Sequence, residues 1–189
     1  SVVGIIHAVA LFIAMPIFGI NQGVQPIIGY NYGAKKYDRV MKALQAAICF
    51  ASILCVVGFL VVMFFPAQII RVFNEDKELL GMGTHAIRIC LMMFPIVGFQ
   101  IVSTGYFQAV GKPKHALLLG LSRQVLLLIP AILVLPYFFG LKGIWAAFPT
   151  ADLCSSILTG VWLFFELRHL KDRQVEESDG RDELANEAF

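Results

Sequence analysis

Residues 43–65 read ALQAAICFASILCVVGFLVVMFF. The stretch holds no Asp, Glu, Lys or Arg, and the uncharged run continues to residue 70. A helix needs roughly 20 apolar residues to cross a hydrocarbon core ~30 Å thick, so this stretch is long enough. Large apolar side chains stand on every side of a helix wound from it, which means burial all round, in lipid or in protein. In lipid each backbone N–H and C=O must be satisfied within the segment, and that requirement selects a helix.

The pattern recurs on both sides. Residues 1–34 and 89–111 carry no charge; 116–141 carry only Arg123, and 143–165 only Asp152. We label five spans: A (about 2–32), B (43–65), C (89–110, entering as early as Glu75), D (116–139) and E (143–167). Hydrophobic residues make up 58% of the 189 and charged residues 15%, against about 25% charged in a soluble domain. Mean hydropathy is +0.76. These values exclude a disordered chain, a disulfide-stapled miniprotein and almost any soluble enzyme. The expected fold is all-α, a polytopic membrane protein of five transmembrane helices. The net charge of +2 is an average over loops and gives no sign of a nucleic-acid partner; the implied partner is the lipid bilayer.

Span A is too long for a straight crossing and must tilt, bend or project, with Pro16 and Pro26 inviting kinks. Its glycines form two pairs one turn apart, 19 with 23 and 29 with 33, where another helix can approach. Residues 67–73 read as a short interfacial turn, and Asn74 as an N-cap followed by Glu75 and Asp76. Tight loops at 111–113 and 140–143 force antiparallel neighbours. Residues 168–189 are charged and expected to be a disordered tail.

Lys and Arg set the orientation. Ten fall on one side: Lys35, Lys36, Arg39, Lys42, Lys112, Lys114, Arg168, Lys171, Arg173 and Arg181. Four fall on the other: Arg71, Lys77, Arg88 and Lys142. The A–B loop, the C–D loop and the C-terminus are therefore expected in the cytoplasm. Ser1 then lies outside, so an odd number of preceding helices is expected to be missing.

No GxSxG, HExxH, P-loop or paired acidic motif occurs, so neither an enzyme nor a metal site is expected. Cys49, Cys55, Cys90 and Cys154 read as small core residues, and His7 as a packing histidine. Two intramembrane charges ask for a reason, since Asp or Arg at a helix centre costs about 2.5–3.5 kcal/mol. Asp152 and Arg123 each lie about nine residues into their spans, from opposite faces, so an ion pair is within reach. The alternatives are a proton, cation or substrate site, or Arg123 snorkelling alone. Uncharged polar residues form a third set: Asn21, Gln22 and Gln25 in span A, with Gln100, Ser103, Thr104 and Gln108 in span C. Such stripes act as interhelical glue or line an aqueous cavity between kinked helices.

The segment GINQGVQPIIGYNYGAKKYDRV at 19–40, GYFQAVGKP at 105–113, Ser122-Arg123-Gln124 with Pro130, and GLKGIWAAFPTAD at 140–152 together resemble the multidrug and toxic compound extrusion (MATE) family, in its bacterial multidrug-exporter branch. The resemblance implies twelve helices in two six-helix lobes around a cavity, exporting organic cations or drugs in exchange for Na⁺ or H⁺. No other cofactor is implied. Spans A to E would be helices eight to twelve, most of the C-terminal lobe, with the N-terminal lobe of the same chain as missing partner. The family's coupling acids lie on the first helix of the N-lobe or the first and fourth of the C-lobe. The first two places are absent, and span C has no acid, so coupling residues do not carry over. By resemblance Gln22 and Gln25 match a polar patch facing the cavity. Two other readings compete: a lipid-linked-precursor flippase of the same superfamily, which needs a more cationic cavity, and a non-transporting truncated membrane scaffold.

Overall fold

The computed structural model describes residues 2–73 and 77–187. The expected cap at Asn74, and the entry at Glu75, fall outside them. Among the described residues nine helical segments follow in order: α1 (Val2–Gly33), α2 (Tyr37–Phe64), α3 (Pro66–Phe73), α4 (Lys77–Cys90), α5 (Phe94–Ala109), α6 (Pro113–Leu121), a π-helical segment (Ser122–Leu128), α7 (Ile129–Phe139) and α8 (Leu141–Glu187). Among the described residues, four continuous stretches of helix are long and apolar enough to cross a membrane, or five if a bent pair counts as one span. The chain is an all-α, multi-pass membrane protein.

The bent pair is span C, which is not a single helix over 89–110. α4 and α5 meet at 44° across residues 91–93. Pro95 has no N–H to return to the Leu91 carbonyl, and its ring crowds that oxygen. The Leu91 carbonyl instead accepts from the Phe94 N–H at 3.0 Å. Span D also departs from a plain α-helix. Pro130 cannot donate to the Leu126 carbonyl, and the turns before it widen into the π segment, a local adjustment that frequently marks functional sites. The short turn expected at 67–73 is a helix from Pro66, with proline at its start where a missing N–H costs nothing. α1 closes on the αL residue Lys35 (φ 57), with Lys36 N–H donating to Asn31 O at 2.8 Å and Lys35 N–H to Tyr32 O at 3.0 Å, a Schellman closure.

The disorder expected from residue 168 gives way to helix, since α8 continues through Glu187. Residues 168–187 include four Glu, three Arg and two Leu, which are good helix formers. They extend a helix already nucleated by the span, so only propagation is required.

α5 sits at the centre, packed against α1, α2 and α8. Its buried set, including Val97, Gly98, Gln100, Val102, Ser103 and Tyr106, covers all sides. At Gly98 a Cβ would lie 2.7 Å from the Ala51 carbonyl and 3.0 Å from Cys55 Sγ, so the α2–α5 seam requires glycine there. α7 is the opposite case. Only Ala131 is buried, while Leu133 and Tyr137 stand 73% and 88% exposed, as side chains facing lipid do. Of the cysteines, Cys55 and Cys90 are buried as expected, but Cys49 and Cys154 face outward. His7 is also exposed rather than packed. Lipid accepts apolar side chains as readily as a core, so composition did not separate the two surfaces.

Candidate intramembrane polar site

One face of α8 is polar and buried. Asp152, Ser155, Ser156 and Thr159 recur at i, i+3, i+4 and i+7, a single helical stripe, and all four are buried. Asp152 lies about nine residues into the span, ~13 Å deep. Arg123 donates from Nε to Asp152 Oδ1 at 2.6 Å. Of this pair Asp152 is the deeper, its side chain 8% exposed against 40% for Arg123. The guanidinium comes from the π segment, which packs on α8.

A turn further along, α5 meets the same stripe. Gln100 Nε2 donates to Ser155 Oγ, both side chains being buried. Thr159 Oγ1 donates back to Ser155 O at 2.8 Å. Thr104 and Ser103 turn to their own helix, donating to Gln100 O at 2.9 Å and Phe99 O at 2.7 Å. Gln100 Oε1 and Ser156 Oγ are buried without a hydrogen-bond partner among the described residues. An unmet buried acceptor costs about 1–3 kcal/mol, so these oxygens favour a position beside a donor.

A second polar seam joins α1 to α5. Asn21 packs against Gly105, where a Cβ would overlap the carboxamide, so glycine makes room for it. Gln25 Nε2 lies 3.4 Å from Gln108 Oε1, a long contact. Gln22 does not join this seam; it is exposed on the outside of α1. Three residues advance a helix by ~300°, which rotates Gln22 by ~60° from Gln25. That is enough to leave a narrow contact line. The candidates thus separate into an α1–α5 set (Asn21, Gln25) and an α5–α8–π set (Gln100, Asp152, Arg123).

Sequence reasoning overlooked Ser155, Ser156 and Thr159, although their spacing from Asp152 is a legible helical stripe. It also overlooked an ion pair at the far end of the span in α8. There Lys112 Nζ, on the turn before α6, contacts Glu166 Oε1 and Oε2 at 2.5 and 2.7 Å.

Residues 1–133 match the model of the MatE family. The multidrug export protein MepA of Staphylococcus haemolyticus is 25% identical over 167 residues, covering 88% of this chain and 36% of its own. The solved structure of the MATE multidrug transporter DinF-BH, determined as a ligand complex, is similar at 45% identity and TM-score 0.80, over 86% of this chain and 36% of that one. An inward-facing MATE transporter of the MOP superfamily shares the fold at TM-score 0.82 and 19% identity, over 88% of this chain and 39% of its own. This chain spans about a third of the length of the curated relatives it matches. It belongs to the MATE family of multi-pass membrane transporters.

Proposed function

We propose that this chain forms most of the C-terminal lobe of a secondary active multidrug exporter. Organic cations or drugs leave in exchange for Na⁺ or H⁺, and a lobe supplied by further sequence faces this one across the cavity. The observation that carries the reading is the buried polar stripe Asp152–Ser155–Ser156–Thr159 with Gln100 from α5, set among helices whose outer faces are apolar. A static anchor needs no Asp at this depth, where a charge costs about 2.5–3.5 kcal/mol to place. Transporters that work by alternating access carry polar groups at this depth, within the bundles that rock about a site near the midplane. The likeness to a multidrug transporter solved with a ligand bound supports drug-like cargo. The flippase alternative leans on Arg123 as a cavity cation, and the Asp152 carboxylate balances that charge. The Lys and Arg distribution supports a cytoplasmic C-terminus in a bacterial inner membrane.

The test is efflux of a fluorescent cationic dye from proteoliposomes holding the full polypeptide that contains residues 1–189. Saturable efflux under an imposed Na⁺ or H⁺ gradient is expected. Dye retention under both gradients, with binding and folding intact, would overturn the reading.

A further inference from the structure

A groove of about 410 Å³ opens between α2 and α8 at the charged end of the bundle. Met41, Leu44 and Ile48 of α2 form one wall, and Phe164 of α8 the other. The helices run antiparallel here, since Gln174 Nε2 donates to Asp38 Oδ1 at 2.7 Å and joins the start of α2 to the extension of α8. From Lys171 back to Phe164 the groove runs ~10 Å along α8 into the span. Its lining changes along that path. Arg168 and Lys171 stand at the charged end of α8, and Met41, Leu44, Gln45 and Ile48 follow one another inward along α2, with Gln45 the one polar side chain among these four. Both cations are exposed, and neither is in an ion pair among the described residues. Lys112, at the same end, is by contrast held by Glu166.

We infer that this groove holds one anionic phospholipid. Its phosphate sits between Arg168 and Lys171, and its glycerol and acyl region lies against Met41, Leu44, Ile48 and Phe164, with Gln45 available to the ester oxygens. Charge complementarity selects the occupant. Two cations with no ion-pair partner among the described residues, above an apolar cleft, match an amphiphile with an anionic head, and basic pockets between transmembrane helices hold such head groups. A free phosphate leaves the apolar walls unmatched. A zwitterionic lipid brings its own cation to a mouth that already has two. The inference goes beyond transport and leans on the proposed orientation only for which leaflet supplies the lipid.

The test uses the full polypeptide containing residues 1–189, in nanodiscs of mixed phosphatidylglycerol and phosphatidylcholine, with retained lipid counted by native mass spectrometry. Preferential retention of one phosphatidylglycerol is expected. Arg168→Gln with Lys171→Gln should lower that retention roughly thirtyfold, from about 1 kcal/mol per cation near the surface. Ile48→Trp, which fills the groove and leaves both charges, should also lower it. Arg173→Gln, on the other side of α8, should not. Equal retention of the two lipids, undiminished phosphatidylglycerol in the double variant, or an equal loss on Arg173→Gln would each overturn the site. Because the readout is lipid retention, it stands or falls independently of dye efflux.

Discussion

Arg123 and Asp152 are joined at 2.6 Å, Nε to Oδ1, between the π segment and α8. The bond ties a stretch of irregular helix to a regular one, with its Asp152 end buried and its Arg123 end partly exposed. Each charge makes the other tolerable there, since isolated charges at that depth are costly. The pair also fixes which way the widened turn presents its side chains to α8.

Removing one partner should therefore cost more than removing both. Arg123→Ala or Asp152→Ala leaves an uncompensated charge, and the expected loss is about 3 kcal/mol of stability in detergent. Arg123→Met with Asp152→Leu should recover most of it. A thermal double-mutant cycle measures the coupling, and a coupling energy near zero would count against the pair. Asp152→Asn keeps an oxygen acceptor for Arg123 and should fold. If dye efflux is nonetheless lost in that variant, Asp152 takes part in ion coupling as well as in structure.

The α2–α5 seam gives a steric prediction. A Cβ at position 98 would lie 2.7 Å from the Ala51 carbonyl. Backbone cannot yield as a flexible side-chain tip does, so Gly98→Ala should destabilise the bundle by about 1–3 kcal/mol. Gly19, with nothing within 4 Å of its Cβ position, should accept alanine at little cost. Thermal unfolding of the two variants side by side checks the contrast.

That contrast also marks the limit of what the sequence carried. Uncharged runs revealed the spans, because a bilayer demands length and apolarity and little else. The depths of Arg123 and Asp152 made their pairing feasible, and the structure brings them together. Facing was harder to read. Lipid and protein interior are both apolar, so nothing in residues 2–32 says that Gln25 turns to α5 while Gln22 turns away. The break at 91–93 and the π segment follow from Pro95 and Pro130, yet proline occurs in α1 and α8 without ending either helix. The helical extension past residue 168 was hidden for another reason. Charge was read as a sign of disorder, although Glu, Lys and Arg propagate a helix that has already begun.

Orientation is testable by single-cysteine labelling in a cysteine-free form of the full polypeptide. With ten Lys and Arg on one side and four on the other, cysteines at positions 36 and 173 should be protected from an impermeant external reagent, and one at 77 should react. The opposite pattern would invert the topology. It would also move the groove at Arg168 and Lys171 to the outer leaflet.

The last prediction concerns the chain by itself. It covers about a third of its curated relatives, and α5, its central helix, packs against α1, α2, α6 and α8 of the same chain. Residues 1–189 therefore have a core of their own and should insert as a helical bundle. Alternating access needs a second bundle to move against, because the site lies between the two and is opened by their relative rotation. Reconstituted alone, residues 1–189 should show a helical circular dichroism spectrum and no gradient-driven dye efflux. Co-reconstitution with the remainder of the full polypeptide should restore efflux if the lobes associate. Saturable, gradient-dependent efflux by residues 1–189 alone would mean that a transport path exists within this chain or between copies of it. In that event the stripe at Asp152–Thr159, buried inside one copy, would be the first place to look for the path.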